Sequence, residues 1–294
     1  METKVLLHKD KHMLQAKADM RKQPVQLDLW KMLTTENYSN SVELYQTLPD
    51  VFSWKQDHLR NLDWTLPLLT RKGIYNWTAY TLDITPAHID VTGSDNNKTK
   101  KAFYKNTIAE FVEYALHKLS IAEWFFLPDS LRDKEFALIT TFYKIRTELK
   151  KMWKTYSYEQ IKDWISILAW LRYQLSWDMS KNHWIDSFFS PIDLLIKNNK
   201  RNPLHSELYI NFNKLISKKI LSLDWRGFNY TEFMKVKTSF GRSLFMRLSH
   251  RFKQVDTIKG YHFLLSTMID EWLLQEDLIT TNIKKINEWL KDCA

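Results

Sequence analysis

Phe136–Leu171, "FALITTFYKIRTELKKMWKTYSYEQIKDWISILAWL", decides how the chain is read. Leu138, Phe142, Ile145, Leu149 and Met152 recur at three- and four-residue spacing, which predicts an amphipathic helix beginning near Phe136. Trp153 to Tyr156 interrupt the pattern. Ser157 and Gln160 then have the S-x-x-Q spacing of a capping box, so a second helix is expected from Tyr158. Two helices joined by a short turn, the second with a capped start, have the order of a helix-turn-helix.

The flanking sequence extends this reading. "KNTIAEFVEYALHKLS" carries Ile108, Phe111, Val112, Ala115, Leu116 and Leu119 on one stripe and predicts a helix upstream. "IYNWTAYTLDITPAHI" alternates with a phase slip and predicts a bulged strand that ends at Pro86. Downstream, Tyr173–Trp177 and Trp184–Phe188 predict a hairpin about "DMSKN", and "ELYINFNKLI" a third strand. Helix, helix, hairpin is the order of a winged helix. Trp170, Trp177 and Trp184 are expected to pack within it. The order of elements recurs after Phe228, ending in "TMIDEWLLQ" and "TTNIKKINEWLKD". Residues 1–60, with "PVQLDLWKML" and "SNSVELYQTLPDVF", predict an arm with short helices.

Composition excludes several functions. Five isolated glycines, where an average domain of this length has roughly twenty, rule out a Rossmann fingerprint and a P-loop. The single Cys293 rules out an internal disulfide or a thiolate zinc cluster and suits a reducing compartment. The nine histidines never fall two apart, and H-E-x-x-H, G-x-S-x-G and C-x-x-C are absent, so no enzyme, metal or cofactor is expected. The charged N-terminus lacks a signal-peptide core, and no apolar run approaches the length of a membrane span. The net charge is +9, yet residues 196–260 alone hold nine Lys and five Arg against four acids. A basic block on a near-neutral body is the electrostatic footprint of a polyanion ligand.

Ile210, Phe212, Asn213 and Leu215, followed by Gly241, Arg242, Leu244, Arg247, Leu248, Ser249 and His250, resemble the plasmid replication initiator family. "YTLDITPAHI", "FVEYALHKLS" and "TFYKIRTELKKMWKTYSYEQIKDWISI" resemble its upstream segments in the same order, so the likeness spans roughly residues 33–275. Phe245 and Met246 stand where family helices carry Trp and His. The resemblance implies a non-enzymatic protein of the bacterial cytoplasm with two winged-helix domains. Such a protein binds direct repeats in double-stranded origin DNA, helps to open it, and engages a host initiator and the replicative helicase. A homodimer is compatible with it.

The expected fold is therefore mainly α with small β-hairpins (α+β): an arm at 1–60, a winged helix at 61–221, and a second at 222–294 without its C-terminal wing. The expected DNA-binding residues in the first unit are Tyr158, Gln160 and Lys162. In the second, Arg242, Arg247, His250, Arg251 and Lys253 are expected on the phosphates, and Asn282, Lys284, Lys285 and Asn287 on the bases. A winged-helix repressor and a helical protein-interaction module without DNA binding remain as alternatives.

Overall fold

The stretch that looks helical from Phe136 starts as a strand. In the computed structural model, which describes residues 37–46, 48–51, 60–61, 65–75, 78–92, 98–127, 135–180, 183–221 and 224–251, Glu135–Thr141 is extended and the helix begins at Phe142. In chain order the elements are β1 (Tyr38–Ser41), α1 (Glu43–Gln46), β2 (Leu69–Tyr75), β3 (Thr78–Thr85), β4 (Ala87–Thr92), β5 (Lys98–Phe103) and α2 (Thr107–Glu123). Then come β6 (Trp124–Leu127), β7 (Glu135–Thr141), α3 (Phe142–Lys151), α4 (Tyr158–Trp170), β8 (Arg172–Ser180), β9 (His183–Phe189) and β10 (Ile192–Lys197). The last are β11 (Glu207–Phe212), α5 (Lys214–Leu221), β12 (Arg226–Asn229), α6 (Tyr230–Lys235) and α7 (Ser239–Arg251).

Strand β7 lies inside a four-stranded antiparallel sheet of order β10-β11-β7-β6. Ala137, Leu138 and Thr140 are all buried, so the strand has no polar alternation to betray it. Thr141 ends it and caps α3, its hydroxyl accepting from Lys144 N. Helix α3 closes in a Schellman turn: Trp153 N donates to Lys150 O at 3.0 Å and Lys154 N to Leu149 O at 2.9 Å. That turn needs a left-handed residue, usually Gly, and here Trp153 takes it with φ 59°, a conformation that costs roughly 1–2 kcal/mol for a residue with a Cβ. Ser157 and Gln160 then form the expected capping box of α4. Ile161, Ile165 and Leu168 bury one side of α4 against α2 and α3.

The hairpin β8–β9 forms where expected but serves another sheet, of order β2-β3-β8-β9. After α4 the chain enters that sheet, turns, and returns as β10 and β11 beside β7. The segment expected as one bulged strand instead holds the end of β2 and all of β3, which pair as a hairpin, and the slip after Ala79 lies within β3. Gly73 lies opposite Tyr80 there, with the phenol ring lying over it. The two-stranded β4–β5 packs on α4. Four antiparallel sheets among the described residues make this an α+β protein and correct the mainly α expectation. β-Branched and aromatic runs buried on both faces carry no period that separates them from helices. Among the described residues no helix is long and apolar enough to cross a membrane.

Part of the segment expected as an arm runs through the centre. β1 pairs with β12, nearly two hundred residues away, from Tyr38↔Asn229 to Ser41↔Arg226. Beyond it, Asp50 accepts from Lys105 Nζ and from the Tyr173 hydroxyl, each at 2.8 Å. Lys105 also bridges Glu113 at 2.5 Å, and the Tyr45 hydroxyl donates to Glu113. Burial raises the Asp50 carboxyl, and the Lys105 charge opposes that rise. Beside them, burial and then the Lys105 charge hold the His117 imidazole down at about 3.

Two outcomes are expected. Adding a Cβ at Gly73 places it 2.6 Å from the Tyr80 ring, itself buried. Gly73→Ala therefore costs about 1–3 kcal/mol in urea denaturation. His117 stays neutral in the fold but gains a proton near pH 6.5 when unfolded, so acid favours unfolding. Between pH 7 and 5 the wild type should lose roughly 2 kcal/mol more stability than His117→Phe. Parallel pH profiles of the two proteins would contradict this.

Candidate nucleic-acid interface

Three basic residues of α7, Arg242, Arg247 and His250, face inward. Arg242 is fully buried, and its Nε and Nη2 hold Glu110 Oε2 of α2 at 2.8 and 2.7 Å. Its Nη1 donates to the carbonyls of Val236 and Lys237 at 3.0 Å each, and its guanidinium lies 4.7 Å from the Phe111 ring centre. A guanidinium so saturated has no donor to offer a phosphate. Arg247 is 8% exposed and His250 is 5% exposed, with His250 Nε2 2.8 Å from the Ser41 hydroxyl. The expected phosphate contacts at Arg242, Arg247 and His250 are thus corrected: in this fold all three are interior groups. A helical wheel puts charges outside by default, whereas α7 is buried nearly all round, Leu244 and Met246 included. Arg251 is the last residue of α7 and its side chain is not described; Lys253, Asn282, Lys284, Lys285 and Asn287 lie outside the described residues.

The expected residues of α4 stand near its N-terminus. Tyr158 is half-buried, edge-on to Phe142 at 4.9 Å. Gln160 is exposed, but its carbonyl oxygen accepts from Ser157 N at 2.9 Å to complete the cap. Lys162 is exposed. Two acids share this side. Glu159 is held below the usual range by hydrogen bonds at the helix start, and Asp163 is raised by partial burial. The outer surface of α4 is therefore mixed in charge and has donors and acceptors for base edges.

Stronger cations lie on a loop that sequence reading overlooked. Strands β10 and β11 pair from Ile192↔Phe212 to Lys197↔Glu207 and present residues 198–206 as a tip. The Asn199 side-chain oxygen accepts from Arg201 N and Asn202 N at 3.1 Å each. Ser206 Oγ accepts from Asn199 N at 3.0 Å. The His205 ring stacks on Tyr143 of α3 at 5.2 Å with 17° between planes. Lys200 and Arg201 stand exposed on this fixed frame, and β10 packs on α4. The "NNKRNPLH" turn chemistry between two apolar runs was the available sequence signal. Lys150 and Lys151 are exposed at the end of α3, with Lys151 3.2 Å from Glu148.

If Arg242 is internal, Arg242→Ala should cost about 3–5 kcal/mol, because it strands the buried Glu110 carboxylate. Arg242→Met combined with Glu110→Leu should recover most of that loss in urea titrations. A single variant as stable as the wild type would contradict the assignment.

No family model matches the chain, and no curated protein matches it. Among solved structures it is similar to a crystal structure of selenomethionine derivatives of domains 2 and 3 of RctB, with 11% identity, TM-score 0.45, and coverage of 73% of this chain and 72% of that one. A second crystal structure of RctB domains 2–3 has 13% identity, TM-score 0.40, and coverage of 67% of this chain and 68% of that one. Likeness at this distance carries nothing about function.

Proposed function

We propose that the chain binds double-stranded DNA through α4 and the 198–206 tip, in the manner of a helix-turn-helix with a wing. We propose further that it acts on repeated origin sites as a replication initiator, by binding rather than catalysis, and engages helicase machinery there. The observation that carries the DNA reading is the preorganised tip. Its backbone is held by Asn199 and Ser206, its side is braced by the Tyr143–His205 stack, and it presents Lys200 and Arg201 beside a capped helix. Fixed cations next to a helix with polar outer residues suit phosphate positioning together with base reading. The initiator reading rests on the sequence resemblance.

Glu159 and Asp163 favour a second reading, in which α4 meets a basic protein partner. It predicts no retention of duplex DNA even at low salt.

Gel-shift titrations across a salt series distinguish the two. The wild type should retard a repeat-bearing origin fragment in preference to scrambled duplex. Lys200→Ala with Arg201→Ala should weaken binding to both and flatten the plot of log K against log salt by about two. An unchanged slope would remove the tip from the interface, and equal binding to both fragments would remove specificity.

A further inference from the structure

Trp153 is out of place by two independent measures. It occupies the left-handed position of the α3–α4 turn, where a residue without a Cβ folds at lower cost. Trp153 is 91% exposed, so its large apolar ring returns almost nothing to the core. Among the described residues the other strongly exposed tryptophan, Trp170, differs in having the Arg172 guanidinium 6.0 Å from its ring centre. Backbone cost without packing return moves the benefit of Trp153 outside the isolated fold.

Its surroundings indicate what meets it. From Lys150 to Ser157 the chain carries three Lys and no acid. Lys150 and Lys151 are exposed on the preceding turn, while Lys154 turns inward, with Nζ 4.2 Å from the Phe111 ring centre. A bare indole flanked by cations fits a ligand that presents a flat π-face and a negative charge together, which describes a nucleotide. The faces of a base inside an intact duplex are covered by its stacked neighbours, so an exposed ring cannot lie on one there. An unpaired base can be laid upon it. Ser157 follows Trp153 by four residues, a span of at most about 14 Å, so this contact adjoins the start of α4.

We infer that Trp153 is a stacking platform for an unpaired base of single-stranded nucleic acid, with Lys150 and Lys151 on the adjoining phosphates. This goes beyond the duplex reading and does not depend on it.

The test uses the full chain, fluorescence anisotropy with a labelled oligothymidylate and with labelled duplex, and thermal unfolding. Trp153→Gly should unfold at an unchanged or higher temperature yet bind the oligothymidylate about 5- to 140-fold more weakly, the loss typical of one base–aromatic stack. Trp153→Phe should keep most of the affinity. The inference is overturned if Trp153→Gly binds within about twofold of the wild type, or if it unfolds at a clearly lower temperature, which would make the ring structural. It also fails, with the duplex reading intact, if the wild type retains duplex but not oligothymidylate. Retention of oligothymidylate alone, lost in Trp153→Gly, supports the platform and removes the duplex reading.

Discussion

The ion pair between Arg242 and Glu110 is the constraint on which the rest of the structure depends. It joins α7 to α2 across 132 residues, and both side chains are buried. Close by, Lys105 holds Asp50 and Glu113, and through them Tyr173 and Tyr45. One polar cluster therefore ties together the N-terminal segment, α2, β8 and α7. Taking such charges out of water is expensive, so their value lies in fixing one arrangement. Removing a single member leaves an opposite charge stranded in the interior. The β1–β12 pairing and the Ser41–His250 contact add neutral bonds along the same seam.

That seam changes the meaning of the basic block. Fourteen cations between residues 196 and 260 suggest a charged face, yet Arg242 and Arg247 are inside. Arg226 points its guanidinium at the Ser249 carbonyl, Lys219 pairs with Asp224, and Lys235 with Glu232. Counting charge along a chain therefore overstates the field that a ligand meets. Among the exposed cations, Lys200 and Arg201 stand on a braced tip, and Lys150 and Lys151 beside Trp153.

Local chemistry was legible in the sequence and long-range pairing was not. The Ser157–Gln160 box, the stripe of α2 and the β8–β9 hairpin are each decided within a few residues, and each formed. Strand β7 was misread because Leu138 and Phe142 satisfy helical spacing while burial on both faces erases alternation. The wing was assigned to β8–β9 because that hairpin follows α4 directly; only the pairing of β8 with β3 shows that it belongs elsewhere. Arg242 looked like a phosphate clamp because its partner lies in a helix that no local pattern connects to it.

The central claim is that the nucleic-acid surface is α4 with the 198–206 tip and the α3–α4 turn, and that α7 is structural. Photocrosslinking of the full chain to a bromodeoxyuridine-substituted duplex pool, with peptides mapped by mass spectrometry, tests it most directly. Crosslinks should fall within 158–170 and 197–206 and be absent from 239–250. Crosslinks concentrated in 239–250, with none near the tip, would contradict the account.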